Sequence, residues 1–136
     1  MLLIALVMIA GALGVLARWG IDILMNKIKW SQVWGTFMAN ILGSFLAGYF
    51  TCYLTEISKK PQNILIQFWA NYQNQWHVIF ITGFCGGLTT FSALSLQLFE
   101  LGQPNTFFRA LMLAALHLLC GPIAVWIGFQ VRNYFS

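Results

Sequence analysis

The sequence predicts an all-α membrane protein with four transmembrane helices. Hydrophobic residues make up 60% of its 136 residues and charged residues only 7%, whereas a soluble domain carries about 25% charged residues. Apolar stretches long enough to cross a bilayer, about 20 residues each, recur along the chain with polar segments between them. We therefore expect helices at about 2–25, 33–53, 77–101 and 106–131, with residues 1–136 forming a single transmembrane domain.

Small and polar residues inside the first two predicted helices indicate contact with other protein segments as well as with lipid. Gly11 and Gly14 allow another backbone to approach the first helix closely. Asn40 is the one strongly polar side chain near the middle of the second helix. Residues 64–76 are rich in Trp, Asn, Gln and Tyr and too polar to span, so we expect a long loop or an interfacial helix there.

The third predicted helix contains a stretch, residues 83–92, that is poorly suited to a regular helix. Adjacent glycines are followed there by two threonines, a phenylalanine and a serine, and each glycine costs about 1 kcal/mol relative to alanine in a helix interior. Non-helical backbone at membrane depth is tolerated only where it is buried in protein or faces a water-filled cavity. We therefore predict a broken third helix whose carbonyls and hydroxyls can bind ions. The alternative is that Gly83-x-x-x-Gly87 is only a packing motif.

The positive charges are divided almost evenly between the two ends of the predicted helices. One side carries Lys59, Lys60 and Arg132, and the other carries Arg18, Lys27, Lys29 and Arg109. The positive-inside rule therefore gives almost no preferred orientation, and an antiparallel, dual-topology dimer is available to a chain that inserts both ways up. A protein of fixed orientation with a small bias is the alternative. Because the basic residues do not share one face, we expect no nucleic-acid partner.

The sequence shows no arrangement of residues typical of an enzyme. Cys52, Cys85 and Cys120 are isolated in apolar surroundings, without metal-ligand or redox spacing. We interpret them as small core residues. No nucleophile–base pair, metal-ligand cluster or phosphate-binding loop is evident, so we predict a protein that is not an enzyme.

Three motifs in the first three helices resemble those of the Fluc/CrcB fluoride channels, and the resemblance covers nearly the whole chain. They read Gly11-x-x-Gly14-x-x-x-Arg18-Trp19, Gly35-Thr36-x-x-x-Asn40-x-x-Gly43-x-Phe45-x-x-Gly48 and Gly83-Phe84-Cys85-Gly86-Gly87-Leu88-Thr89-Thr90-Phe91-Ser92. The resemblance implies passive fluoride conduction through two pores of a dimer, with a structural Na+ that is not transported at the dimer centre. The partner would be a second copy of the chain in inverted orientation, or a paralogue, in the lipid bilayer of the cell (plasma or inner) membrane.

The resemblance also implies roles for individual positions. The main-chain carbonyls of Gly86 and Thr89 match the sodium ligands of the family. Asn40 matches a pore asparagine whose NH2 group can donate to fluoride, with an interhelical hydrogen bond as the alternative. Phe91 matches the first of two pore phenylalanines, whose positive ring edge attracts an anion weakly; a lipid-facing ring is the alternative. Arg18 matches a vestibule arginine that concentrates anions, or it snorkels to lipid headgroups.

Three further positions are candidates for the fluoride path. Thr90 and Ser92 either donate hydroxyls to it or bond the backbone of their own helix. His117 lies in the middle of the fourth helix, where the family has a polar position. It either borders the pore or hydrogen-bonds across helices.

The sequence departs from the family pattern at three positions of the third helix. Leu94 stands in place of the second pore phenylalanine, Ala93 in place of a hydroxyl residue, and Gln97 in place of a glutamate. Leu94 would still line the path, but it has no positive ring edge. A weakly conducting or non-conducting subunit that pairs with a paralogue is therefore an alternative function.

Taken together, these features predict a fluoride-selective channel that lowers cytoplasmic fluoride by passive efflux. A small four-helix proton-coupled antiporter is the less favoured alternative. Such a transporter needs a membrane-embedded carboxylate to exchange protons. The acidic residues Asp22, Glu56 and Glu100 all lie near the ends of the predicted helices.

Overall fold

The structure, a computed structural model, describes residues 1–59 and 73–135, and all regular elements within these ranges are helical. In chain order they are α1 (Leu2–Lys27), α2 (Gln32–Lys59), α3 (Gln73–His77), a π-helix (Val78–Cys85), α4 (Gly86–Leu88), α5 (Phe91–Leu101) and α6 (Phe107–Tyr134). Four stretches of the described chain are long and apolar enough to cross a membrane: Leu2–Lys27, Gln32–Glu56, Asn74–Leu101 and Phe107–Tyr134. The prediction of an all-α protein with four helices suited to spanning a membrane is confirmed.

The second helix runs past its expected end at residue 53 and continues to Lys59. Its added turns have partners on α6, where Arg132 Nη2 lies 3.0 Å from Glu56 Oε2. The Arg132 guanidinium also lies 5.0 Å from the centre of the Tyr53 ring, a favourable cation–π distance. Because the polar end of α2 is held in this way, the helix does not stop where the apolar stretch stops.

The segment between the second and third spans lies largely outside the described residues. The prediction for residues 64–76 can therefore be compared with the structure only from residue 73, where α3 begins. Lys60, one of the basic residues counted above, is also outside the described residues. Residues 73–77 are helical, although the third helix was expected to start at about residue 77.

The first helix contacts the third span through the two backbones. A Cβ atom added to Gly14 would collide with the carbonyl oxygen of Phe84, and one added to Gly87 would collide with the carbonyl oxygen of Gly11. A Cβ atom added to Gly83 would also contact α1. Gly83 and Gly87 therefore allow close packing of the third span against α1. Whether they are only a packing motif depends on the conformation of the residues that follow them.

The backbone between α4 and α5 is extended at two consecutive residues. Thr89 has φ −81° and ψ 156°, and Thr90 has φ −150° and ψ 116°. Helix resumes at Phe91, where Thr90 caps the new N-terminus: its Oγ1 accepts a hydrogen bond from Ala93 N–H at 3.2 Å. Close packing against α1 does not require an extended backbone. The conformation of Thr89 and Thr90 therefore has another cause.

The outer surface of the chain is strongly apolar. Large side chains such as Phe91, Phe99 and Leu118 are 80%, 79% and 74% exposed. Soluble monomers rarely present large continuous apolar surfaces, whereas lipid or a second membrane chain covers such a surface without cost. The four spans and this surface together identify a multi-pass membrane protein.

Candidate functional site

The side chain of Asn40 on α2 binds both backbone groups of Thr90. Asn40 Oδ1 accepts a hydrogen bond from Thr90 N–H at 2.7 Å, and Asn40 Nδ2 donates to the Thr90 carbonyl at 3.2 Å. Thr90 is only 8% exposed, so these groups would otherwise be buried without partners. The interhelical hydrogen bond considered for Asn40 is therefore present. An amide nitrogen has two hydrogens, and one of those on Asn40 is not used by Thr90.

This pair of hydrogen bonds, which we call the Asn40–Thr90 clamp, changes the hydrogen bonding of carbonyl groups in the third span. In a regular helix the Gly86 carbonyl accepts from the N–H of residue 90 and the Thr89 carbonyl from the N–H of residue 93. Here Thr90 N–H donates to Asn40, and Ala93 N–H donates to Thr90 Oγ1. The carbonyls of Gly86 and Thr89 thus lose their usual helical partners.

The hydroxyl groups near the clamp are bonded locally. Thr90 Oγ1 lies 3.1 Å from Ser92 Oγ, and either oxygen can be the donor. Thr89 Oγ1 donates to the Cys85 carbonyl at 3.0 Å, and Thr89 N–H donates to the same oxygen at 2.9 Å. Thr90 Oγ1 therefore bonds the backbone of its own helix through Ala93 N–H, whereas the Ser92 hydroxyl bonds the Thr90 hydroxyl.

A cavity of about 430 Å³ lies beside the clamp, between α2, the extended residues, α5 and α6, and we call it the Asn40 cavity. Five of the predicted path residues line it: Asn40, Thr90, Phe91, Leu94 and His117. Ser44 also lines this cavity and was not predicted. Because residues four apart share a helix face, its spacing from Asn40 is the signal that points to it.

Arg18 and Ser92, the other two residues predicted for the vestibule and path, line a different cavity. This Arg18 cavity has a volume of about 420 Å³ and is also lined by Asp22 and Thr36. Thr90 lines both cavities. Thr90 is therefore shared by the cavity that Arg18 lines and the cavity that Asn40 and His117 line.

His117 is held by its own helix. Its Nδ1 lies 3.0 Å from the Leu113 carbonyl oxygen, and its ring packs at 87° against the ring of Phe37 on α2, 5.2 Å between centres. The opposite ring nitrogen, Nε2, is buried and has no hydrogen-bond partner among the described residues. The predicted alternative of a hydrogen bond across helices is not observed, and the ring borders the Asn40 cavity.

Phe91 and Leu94 differ sharply in their exposure. The Phe91 ring is 80% exposed, whereas Leu94 is 7% exposed within the bundle. Both line the Asn40 cavity. The Phe91 ring is thus free to contact a second chain or lipid while it also borders the cavity.

Gln97, which stands where the family pattern has a glutamate, hydrogen-bonds to residues of α2. Its Nε2 donates to Thr36 Oγ1 at 2.7 Å and approaches the Gln32 carbonyl oxygen at 3.4 Å. These bonds tie α5 to the first turns of α2. A glutamate carboxylate could accept from the Thr36 hydroxyl but could not donate to the Gln32 carbonyl unless it were protonated, so only the second contact depends on the amide.

The three acidic side chains lie close to helix ends in the structure. Asp22 is in the last two turns of α1, and Glu100 is exposed next to the last residue of α5. Glu56 is paired with Arg132. None of the three is placed in the middle of a span as a proton-exchanging carboxylate of an antiporter would be.

Comparison with known proteins gives one consistent result. A family model described as CrcB-like protein, Camphor Resistance (CrcB), matches residues 5–129. A Pasteurella multocida protein is 35% identical over 92% of this chain and 88% of its own length. A Methylobacterium radiotolerans protein is 31% identical over 96% and 85%, and one from Azobacteroides pseudotrichonymphae is 31% identical over 97% of both chains. Each of the three relatives is named fluoride-specific ion channel FluC, an ion channel rather than an enzyme.

Proposed function

The chain belongs to the CrcB-like family, and we propose that it is a fluoride-selective channel that lets fluoride leave the cytoplasm. The observation that carries the proposal is the Asn40–Thr90 clamp, which holds an extended, polar piece of backbone beside a cavity within a membrane-spanning bundle. A helix that only crosses lipid does not need an extended, polar stretch of backbone. The relatives, which match over most of their length, carry the name of the same activity.

Passive efflux is sufficient to keep cytoplasmic fluoride low. Hydrogen fluoride crosses membranes as a neutral acid and ionises in the cytoplasm, where the anion accumulates. An inside-negative potential favours exit of a monovalent anion by about 2.3 kcal/mol per 100 mV. That energy corresponds to roughly a fifty-fold concentration ratio, so no coupled pump is required.

We propose that fluoride passes between the Arg18 cavity and the Asn40 cavity, past Thr90. Arg18 would concentrate anions at the entrance. The unused amide hydrogen of Asn40 and the edge of the Phe91 ring would then replace water around the ion. These are weak, successive contacts, which conduction requires because an ion must leave each site as well as enter it.

The family also leads us to propose a structural Na+ held by the main-chain carbonyls of Gly86 and Thr89. Support comes from the hydrogen bonding of the third span, because both carbonyls lose their usual helical partners. Carbonyl oxygens can replace the hydration shell of an alkali cation. Bound there, the ion would join two third spans by charge and take no part in conduction.

The partner in this proposal is a second copy of the chain in inverted orientation, giving a dimer with two pores. Two features support it. The basic residues are nearly balanced between the two ends of the helices, and the Phe91 ring is 80% exposed in the single chain and thus available to a neighbour. Carbonyls contributed by two chains at a two-fold axis would also double the ligands available to sodium.

A growth assay tests the function in cells. The chain is expressed alone in a bacterial host that lacks its own fluoride exporter, in medium containing fluoride. We expect growth to be restored to the level given by a related channel. Absence of rescue, with the protein present in the membrane, would contradict the proposal.

One observation favours a second candidate, a poorly conducting subunit that relies on a paralogue. Leu94 lines the Asn40 cavity where the family pattern has a second aromatic ring. If the missing ring limits conduction, Leu94→Phe will increase fluoride efflux. Aromatic contacts contribute about 0.5–1.5 kcal/mol, so the expected increase is about two- to tenfold.

The Leu94→Phe experiment uses fluoride efflux from liposomes and Leu94→Met as its control. Methionine is similar in size to leucine and has no ring, so it should leave the rate unchanged. A Leu94→Phe rate equal to that of Leu94→Met would show that the second ring is dispensable in this chain.

A further inference from the structure

Another cavity, which we call the Arg109 cavity, lies at one end of the helix bundle. Ser31 directly precedes α2, Leu101 ends α5 and Arg109 is in the first turn of α6, and all three line it. Its volume is about 380 Å³, within the range of about 300–1,000 Å³ that is usual for ligand pockets. Because it lies where the spans end, the cavity is at the level where a bilayer changes from apolar to polar.

The wall of the Arg109 cavity changes from polar to apolar along the helix axis. On α6, Arg109, Met112 and Leu116 line it at spacings of three and four residues, which places them on one helix face. From Arg109 to Leu116 the wall extends over about 10 Å. On α2, Val33 and Phe37 contribute further apolar wall. A cavity with a cationic end and an apolar interior fits an amphiphilic anion.

Arg109 has no acidic partner in the part of the chain that the structure describes. The one ion pair there joins Arg132 to Glu56, at the other end of the bundle. Glu100 is at the same end as Arg109 but is exposed and is not part of the cavity wall, and Asp22 lines the Arg18 cavity. Arg109 is itself exposed, so its charge is available to an anion from outside the chain.

We propose that the Arg109 cavity binds one anionic phospholipid, with the phosphate group at Arg109 and an acyl chain between α2 and α6. A guanidinium group can bind two phosphate oxygens at once. Ser31 Oγ accepts a hydrogen bond from Val33 N–H at 3.4 Å, and a hydroxyl that accepts can also donate to a phosphate oxygen. Basic pockets between membrane-spanning helices are suited to anionic lipid headgroups. The proposal does not depend on fluoride conduction.

A row of aromatic rings supports a lipid as the occupant. The ring of Trp34 lies 5.9 Å from that of Trp30 and 5.8 Å from that of Phe37, measured between centres. Tryptophan is enriched at the membrane–water interface, and Trp34 and Phe37 both line the cavity. The headgroup would thus lie at the level of the tryptophans and the acyl chain against Phe37. Inorganic phosphate would satisfy Arg109 but would leave the apolar wall without contacts.

Native mass spectrometry of the purified full chain in mild detergent tests the site. The probes are phosphatidylglycerol and phosphatidylcholine with the same oleoyl chains. We expect phosphatidylglycerol to bind about fivefold more tightly, as one basic residue near an anionic lipid provides, and Arg109→Gln to abolish the difference. Lys27→Gln is the matched control, because it removes an exposed positive charge at the same end that is not part of the cavity wall. Equal binding of the two lipids, or equal losses in the two variants, would refute the proposal.

Photolabelling locates the lipid. Phosphatidylglycerol with a photoreactive group in one acyl chain should label residues 33–37 of α2 and 112–116 of α6, and labelling there should fall about fivefold in Arg109→Gln. Soluble glycerol phosphate in hundredfold excess over the labelled lipid should not displace it. Displacement would indicate a phosphate site that makes no use of the apolar wall. Labelling elsewhere, or a dimer that carries no lipid because a second copy covers the cavity, would also contradict a lipid site.

Discussion

Replacing Asn40 by leucine is expected to reduce fluoride efflux by on the order of a hundredfold, because buried polar groups left without partners cost about 1–3 kcal/mol each. Leucine has the same branched arrangement of side-chain heavy atoms as asparagine but can neither accept from Thr90 N–H nor donate to the Thr90 carbonyl. Both bonds would be lost at once. The substitution also removes the amide hydrogen that we assign to the ion path, so structure and conduction fail together.

The measurement is the rate of fluoride release from liposomes, with thermal unfolding in detergent recorded alongside. Asn26→Leu is the matched control, because it makes the same chemical change at an exposed position near the end of α1. It should leave efflux within about twofold of wild type, as surface substitutions usually change stability by less than 0.5 kcal/mol. An Asn40→Leu protein with normal efflux would show that the clamp is not needed for the path.

Replacing Gly14 by valine is expected to prevent correct assembly of the bundle. The added Cβ would collide with the Phe84 carbonyl oxygen and lie 2.8 Å from the Leu88 nitrogen and 3.0 Å from the Gly87 carbonyl carbon. All three are backbone atoms, so no side-chain movement can relieve the contact. Overpacking typically costs about 1–3 kcal/mol or more, and here it must push α1 away from the third span.

Gly20→Val provides the comparison for this prediction. Gly20 is on the same helix, and a Cβ atom added there has no neighbour within 4 Å. The fraction of monodisperse protein after extraction and the midpoint of thermal unfolding should both fall sharply for Gly14→Val and stay near wild type for Gly20→Val. Equal stability of the two variants would mean that α1 and the third span do not pack as closely as the structure shows.

The four spans could be predicted from the sequence because lipid imposes the same requirement everywhere along them. Within a bilayer, side chains must be apolar and backbone groups must be satisfied inside the segment, so long apolar stretches become helices. The helix ends were harder to place. The second helix extends to Lys59 because Glu56 forms an ion pair with Arg132 on α6. The sequence near Glu56 does not predict a partner that is so distant in the chain.

At the site, too, the unusual residues could be recognised from the sequence, whereas their contacts with other helices could not. Glycine, threonine and serine side by side predict a stretch that is unsuited to regular helix, and Asn40 is conspicuous as a polar side chain in an apolar span. Their pairing depends on how α2 crosses the third span, which composition does not encode. The bidentate clamp on Thr90 and the amide contact between Gln97 and Thr36 therefore became visible only in three dimensions.

His117 illustrates why a residue can be identified before its role is. Its position in an apolar span marked it as a candidate that either borders the pore or hydrogen-bonds across helices. In the structure Nδ1 bonds to the Leu113 carbonyl within the same helix, and His117 is among the residues that line the Asn40 cavity. The Leu113 contact is local in sequence, whereas the other walls of the cavity come from α2 and α5, so the surroundings of the ring could not be read from the sequence around it.

The most direct test of the central claim is ion release from liposomes that contain only this protein. Vesicles loaded with potassium fluoride and potassium chloride are diluted into an impermeant salt, valinomycin is added to let potassium follow, and ion-selective electrodes record both anions. We predict rapid release of fluoride, retention of chloride, and loss of fluoride release in Asn40→Leu. Fluoride release no faster than from protein-free vesicles, or equal release of chloride, would contradict the account.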